Sequence, residues 1–252
     1  MAVQRAHLGL DGPVDVPVDG AGRVYVADNS NNRIEVFSGD GGPAVAAGLV
    51  EPNGVALDGR GRLFIADVAD HRVRVVDLST GRIATFAGNG KGKHEGDGGP
   101  AQDAAIFGAR AVKVGPDGGV FILERQGNTL RVVDPKKGVI KTVAGTGRKG
   151  LTGDGGPALD ATFDGPKEMA VDKEGNVFIV DTENHAIRRI DAKTGTITTA
   201  AGNGQRGGEG DGGPAVKGRL DRPHGVAVGP DGSIFIGDTG NNRVRRVVVP
   251  GS

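Results

Sequence analysis

The sequence predicts an all-β propeller, and three observations carry that prediction. The hexapeptide Gly-Asp-Gly-Gly-Pro-Ala occurs four times, with its Asp at positions 40, 97, 154 and 211, a fixed step of 57 residues. A unit copied at such a period cannot bury its apolar surface alone and must stack on its neighbours. Short apolar runs ending in an acid recur in the same phase, closing on Asp28, Asp67, Glu124, Asp181 and Asp238. The 47 glycines fall between these runs, which marks tight turns and not disorder.

Each complete unit divides into four strands. In the copy covering 166–202 the first is Met169-Ala170-Val171-Asp172, and the turn Lys173-Glu174-Gly175-Asn176 leads to the second at 177–180. The third follows at 187–190, and after Lys193-Thr194-Gly195 the fourth runs over 197–201. Second strands are apolar at successive positions, so both faces are covered, whereas third strands alternate, as in Val73-Arg74-Val75, and lie further out. Four antiparallel strands graded from buried to exposed make a propeller blade.

First strands are found five times, at 15–19, 54–58, 111–115, 169–172 and 225–229. The fourth strand is missing from the first unit, and from the last, which stops at Val249. A closed ring of five blades is favoured, with 18 strands at most and no helix longer than two turns; the alternative is an incomplete six-bladed ring completed by a partner chain. All of 1–252 is assigned to a single domain.

Composition narrows the function classes. Lys plus Arg equals Asp plus Glu at 31 each, so no global field draws the chain to nucleic acid or to an anionic membrane. The absence of Cys removes disulfides, thiolate metal sites and thiol nucleophiles. No run approaches the roughly 20 apolar residues of a membrane helix, and the first ten residues lack a signal-peptide core. A soluble chain of undetermined compartment is expected.

The motifs Pro52-Asn53-Gly54-Val55-Ala56 and Pro223-His224-Gly225-Val226-Ala227, with Gly237-Asp238-Thr239-Gly240-Asn241-Asn242-Arg243-Val244 and Asp70-His71-Arg72-Val73, resemble NHL repeats over about 10–247. The Gly-Asp-Gly-Gly-Pro-Ala insert is similar to that of the family's long-repeat bacterial branch. This resemblance implies a propeller, usually of six blades, and says little of chemistry. Similar propellers include interaction platforms, lactonase-like hydrolases with an axial calcium, an amidating lyase whose zinc is held by mouth histidines, and animal domains that bind RNA.

In a propeller of this type the residue after the repeat Pro stands at the channel mouth. That position holds Val14, Asn53, Arg110, Lys167 and His224, and the next holds Asp15, Gly54, Ala111, Glu168 and Gly225. Lys113 replaces the Ala of Ala56, Ala170 and Ala227, and Glu124 with Arg125 and Gln126 replaces the Asp-x-x-Asn of other units. The candidate site is therefore Asn53, Arg110, Lys113, Glu124, Arg125, Lys167, Glu168 and His224, a top-face pocket for a small anionic ligand or a protein partner. Arg offers a planar fork to a carboxylate, His moves protons near neutral pH, and Glu168 or Glu124 could act as a base. Its rival is a network of structural ion pairs.

Metal and nucleic acid rank lower. Calcium wants six to eight oxygens, and each insert has one Asp, so Asp40, Asp97, Asp154 and Asp211 are read as turn residues bonding local backbone. Only His224 fits the zinc pattern; no cofactor is expected, although an axial calcium on Asn53, Glu168 and Glu124 is left open against the repulsion of Arg110 and Lys167. Aromatic residues are 4% of the chain, few for stacking RNA bases. A binding scaffold is the expected function and a metal-assisted hydrolase or lyase the alternative, with catalytic residues and oligomeric state unassigned. Asp28, Asp67, Asp181 and Asp238 are read as scaffold acids bonding their own loops, His71 and His185 as equivalents of Asn32 and Asn242, and His94 as a solvated loop residue.

Overall fold

A computed structural model describes residues 23–37 and 48–248, together with 17 and 19. Val14, Asp15, Asp40 and most of the first strand expected at 15–19 lie outside the described residues, although Tyr25 N donates to Pro17 O and Asp19 N to Arg23 O, each at 3.0 Å. The described chain is an all-β propeller of NHL-type blades. Its strands, numbered in chain order, form antiparallel sheets in which each strand pairs with the next. The first sheet is β1 (Val24–Asp28) with β2 (Arg33–Phe37). Next come β3 (Pro52–Leu57), β4 (Arg62–Asp67), β5 (Arg72–Asp77) and β6 (Arg82–Ala87). The third sheet is β7 (Ala109–Val114), β8 (Val120–Glu124), β9 (Thr129–Val133) and β10 (Ile140–Ala144). The fourth is β11 (Glu168–Val171), β12 (Val177–Asp181), β13 (Ala186–Ile190) and β14 (Ile197–Ala201). The last has three strands, β15 (Gly225–Val228), β16 (Ile234–Asp238) and β17 (Arg243–Val247). Helix is limited, among the described residues, to single 3-10 turns of three residues.

The core is not one centre but a series of seams between successive sheets. Phe64, Ala66 and Val73 of one sheet meet Val112, Val120 and Ile122 of the next, with Ile106 of the intervening insert wedged among them. Phe163 fills the same place one unit on, between Leu123 and Leu130 on one side and Val177 and Ile179 on the other. Alternation along β8 and β12 sends successive side chains to opposite seams, which is why these strands are apolar at every position before the closing acid. Innermost strands nearly touch: a Cβ on Gly54 would stand 2.7 Å from Ala111 Cα, so only glycine fits.

Each second strand runs into a turn that ends in a left-handed residue. Asn32, His71, Asn128, His185 and Asn242 all have φ between 50° and 54°. Asn reaches that region most easily among residues with a side chain, and His follows it, so His71 and His185 are explained by backbone conformation.

The strand-end acids bond farther than expected. Asp67 accepts the N–H of Val50, Asp181 that of Asp164 and Asp238 that of Asp221, each at 2.8 Å, so the donor lies in the segment entering the blade and not in the acid's own loop. The own loop contributes a side chain instead, through the Asn184 and Asn241 amides.

An arginine on the third strand recurs at the same step, as Arg74, Arg131, Arg188 and Arg245. Arg188, buried, lies 2.8 Å from Asp154 and 3.6 Å from Asp181. Arg131, also buried, lies 2.6 Å from Asp97 and 3.2 Å from Glu124. Burial pushes the Asp181 carboxyl up to about 7, against the pull of its N–H donors and Arg188. Asp97, Asp154 and Asp211 are thus not turn residues bonding local backbone; each clamps its insert to an arginine of the following blade, and Asp97 also accepts Thr142 N at 2.9 Å.

The last sheet is covered on one side. Phe235 is 38% exposed, whereas Phe64 and Phe178, at the same place in their units, are 0% and 5% exposed. Among the described residues no seam joins the first and last sheets.

Asp181→Ala would strip buried Arg188 of one carboxylate and Asp164 N of its acceptor, and is expected to cost about 3 kcal/mol. Glu124→Ala does the same to Arg131 and should cost about as much, so Glu124, read from the sequence as a site residue, belongs to the clamp. Urea unfolding checks both; a Glu124→Ala loss below about 1 kcal/mol would count against the clamp.

Candidate functional site

The mouth positions are held by the ladder that begins each blade. Lys167 N donates to Val180 O at 3.1 Å and His224 N to Gly237 O at 3.0 Å, which brings two side chains from adjacent blades to one rim. Lys167 Nζ stands 2.6 Å from His224 Nε2. Desolvation among its neighbours, then Lys167, Arg222 and Arg110, pulls the His224 imidazole down to about 4. It is neutral at physiological pH and accepts the ammonium hydrogen.

Positive charge gathers around this pair. Burial and the nearby Arg125, Arg222 and Arg110 pull Lys167 down to about 8. Arg110 is lowered by burial and then by Arg125, with Glu51 and Glu168 opposing. Arg222 is matched by Glu183 at 2.7 Å. Neither Arg110 nor Arg125 has an acid within ion-pair distance among the described residues, and Arg110 Nε is buried without a hydrogen-bond partner. Arg125 also lines a cleft of about 670 Å3 between the third and fourth blades, facing Phe107, Gln126, Lys149 and Glu183.

The other candidates are divided. Glu168 pairs with Lys113 at 3.4 Å and accepts its neighbour Met169 N, so both charges are engaged just inside the mouth. Asn53 occupies its mouth position but is buried, with no hydrogen bond to the basic group among the described residues. Glu124 stands apart from the mouth. Its carboxylate takes Arg131 at 3.2 Å, Thr129 Oγ1 at 3.0 Å and His94 Nδ1 at 2.7 Å.

The third blade's departure from Asp-x-x-Asn has a steric explanation. Where Asn184 caps Asp181, the third blade has Gly127, and a Cβ there would lie 2.5 Å from Glu124 Oε2. The longer acid needs the space that glycine leaves. It then reaches His94, which the insert folds back over it, with His94 Nε2 3.0 Å from Thr142 Oγ1. His94 is therefore not a merely solvated loop residue; the only signal in the sequence was the paired change to Glu and Gly. Glu168 is held by Lys113 and Glu124 by Arg131 and His94, and among the described residues no three His, Asp or Glu side chains gather to hold a metal ion.

The NHL repeat family model matches residues 10–37, 49–76 and 220–247, and that of the teneurin NHL domain matches 147–208. NHL repeat-containing protein 2 of Bos taurus is 27% identical over 178 residues, 67% of this chain but 24% of that protein. The chain thus spans about a quarter of the length of that relative. Among solved structures, an auxiliary nutrient binding protein from Bacteroides ovatus ATCC 8483 superposes with a TM-score of 0.70 at 16% identity, covering 94% of this chain and 59% of that one. Virginiamycin B lyase from Staphylococcus aureus superposes with a TM-score of 0.58 at 17% identity, covering 95% and 71%. At these identities the likeness is of fold alone.

Arg110 and Arg125 contribute repulsion and no ion pair to the folded state. Arg110→Met or Arg125→Ala is expected to leave stability within about 0.5 kcal/mol or to raise it, read from thermal melting. A loss of about 2 kcal/mol would instead mark a structural role.

Proposed function

Because the chain carries NHL repeats on a propeller scaffold, we propose that it is a binding scaffold whose top-face mouth holds the carboxylate or phosphate of a small anionic ligand or of a protein partner. The observation that supports this reading is the pair of unmatched guanidiniums, Arg110 and Arg125, beside Lys167. A folded chain that needed only ion pairs would have matched them. Like charges so close raise the free energy of the empty site, and an entering anion relieves that repulsion as well as forming charge-assisted hydrogen bonds. An auxiliary nutrient binding protein from Bacteroides ovatus ATCC 8483 shares the fold.

Catalysis is the second reading, favoured by one feature. His224 is a neutral base at physiological pH, in contact with Lys167 at the rim. The two carboxylates that would serve a metal-assisted hydrolase, Glu168 and Glu124, are bound instead to Lys113 and Arg131.

Lys167 sets a pH limit on binding. It is cationic below about 8 and contributes there; its share is lost as pH rises through 8. Calorimetry with inorganic phosphate and with a short dicarboxylate should show affinity falling between pH 7 and 9, with Arg110→Ala or Lys167→Ala abolishing heat at unchanged melting temperature. Heat that persists in both variants would sink the anion site.

For the scaffold itself we infer five blades closed in one ring, which requires the exposed face carrying Phe235 to meet the first sheet. Small-angle scattering should then give a radius of gyration of about 18 Å for a monomer. A dimer, or a clearly larger monomer, would mean a ring completed by a second molecule.

A further inference from the structure

The third blade departs from its neighbours where the chain passes from insert to sheet. At this step of the repeat the next two units have an acid, and each acid pairs with a base of its own insert, Asp164 with Lys149 at 3.0 Å and Asp221 with Arg206 at 2.9 Å. The third blade has Phe107 and Gly92 at those two places, so an aromatic ring and a glycine stand in for the ion pair. Just past β8 the same blade has Arg125 and Gln126 where the next has Thr182 and Glu183. Thr182 is buried and donates to Pro223 O at 2.9 Å, which ties its blade to the following one. Among the described residues the Arg125 side chain makes no such tie.

These departures converge on one place. Arg125 N donates to Gly108 O at 2.9 Å and Gly127 N to Phe107 O at 3.1 Å, so the backbones that carry Phe107 and Arg125 are bonded to one another. Both side chains, with Gln126, line the cleft of about 670 Å3 between the third and fourth blades. Phe107 is 37% exposed, and its ring centre stands 6.3 Å from that of His71. The two acids of the lining are taken, Asp164 by Lys149 and Glu183 by Arg222 at 2.7 Å. Arg125 is thus the charge of the lining left without a counter-ion among the described residues. It also acts on Arg110 and Lys167, and Glu183 acts on Lys167 and His224, so cleft and mouth share these two side chains. A bare phosphate or carboxylate at the mouth would leave most of the cleft empty, since its volume is that of a site for a small organic molecule.

We propose that the mouth ligand is an aryl anion, its acidic group among Arg110, Arg125 and Lys167 and its ring in the cleft against Phe107; this rests on the anion-binding reading of the mouth. An aromatic ring suits these walls better than an aliphatic chain. It packs on the Phe107 ring and offers a face to Arg125, two attractions beyond the burial that any apolar group gains. Among the described residues Phe107 is the one apolar side chain of the lining, so the cleft has no track for a longer aliphatic tail.

The probes are phenyl phosphate and methyl phosphate, which carry the same acid with and without the ring, titrated into the whole chain by calorimetry at pH 7. Phenyl phosphate should bind at least about tenfold more tightly, one per chain, and should displace methyl phosphate. Phe107→Asn installs the neutral counterpart of Asp164 and Asp221, a side chain of the shape that the next two units carry at this step. It should cut the ratio of the two affinities to about twofold or less, with thermal melting verifying that the variant is folded. Equal affinities, a ratio that survives Phe107→Asn, or phenyl phosphate that leaves methyl phosphate in place overturns the proposal while the anion site stands. No heat from either probe removes the anion site and this proposal with it.

Discussion

A buried guanidinium held between two acids far apart in sequence is the interaction on which the rest of this structure depends. Arg188 joins Asp181, at the end of its blade's second strand, to Asp154, in the insert that precedes the blade. Arg131 joins Glu124 to Asp97 in the same way. Burying such charges is expensive and adds little net stability over well-packed apolar residues, but losing one member leaves an unpaired charge at a cost of about 3 to 5 kcal/mol. The clamp therefore acts on specificity. It permits one placement of each long glycine-rich insert, and that placement sets Ile106 and Phe163 into the seams between sheets.

Charge pairing also separates scaffold from site. Arg131, Arg188 and Arg245 each have carboxylates within reach, and they recur at one step of the repeat. Arg110 and Arg125 recur nowhere and have no such partner among the described residues. Lys167 and His224 are both pulled down, by burial first and then by the surrounding cations, Arg110 among them for each. Stability alone gives no reason for that arrangement; a bound anion gives one. The clamp and the mouth also meet in the third blade, where Arg125 follows directly on Glu124. Turning Glu124 outward to Arg131 and His94 leaves Arg125 to face the mouth and the adjacent cleft.

Much of this was legible in the chain because a propeller is nearly one-dimensional: each unit contacts its neighbours, so period and alternation carry the fold. The apolar runs at 120–124 and 177–181 and the equivalence of His71 and His185 with Asn32 and Asn242 were visible as local patterns. So was the equivalence of Arg110, Lys167 and His224 at one step of the repeat, although Arg110 follows Ala109 where the other two follow a proline. The reach of the acids was not legible. Asp97 looks like a turn residue until Arg131, 34 positions later, is folded onto it, and His94 looks solvated until its loop closes over Glu124, 30 positions away.

By itself, then, the sequence determined strand order and blade grammar, since these follow from periods of two and 57 along the chain. Only the tertiary structure decided which charges are matched. Whether an arginine is a clamp or an open site depends on which carboxylates the fold brings within about 4 Å, and loop closure sets that distance with no trace in local spacing.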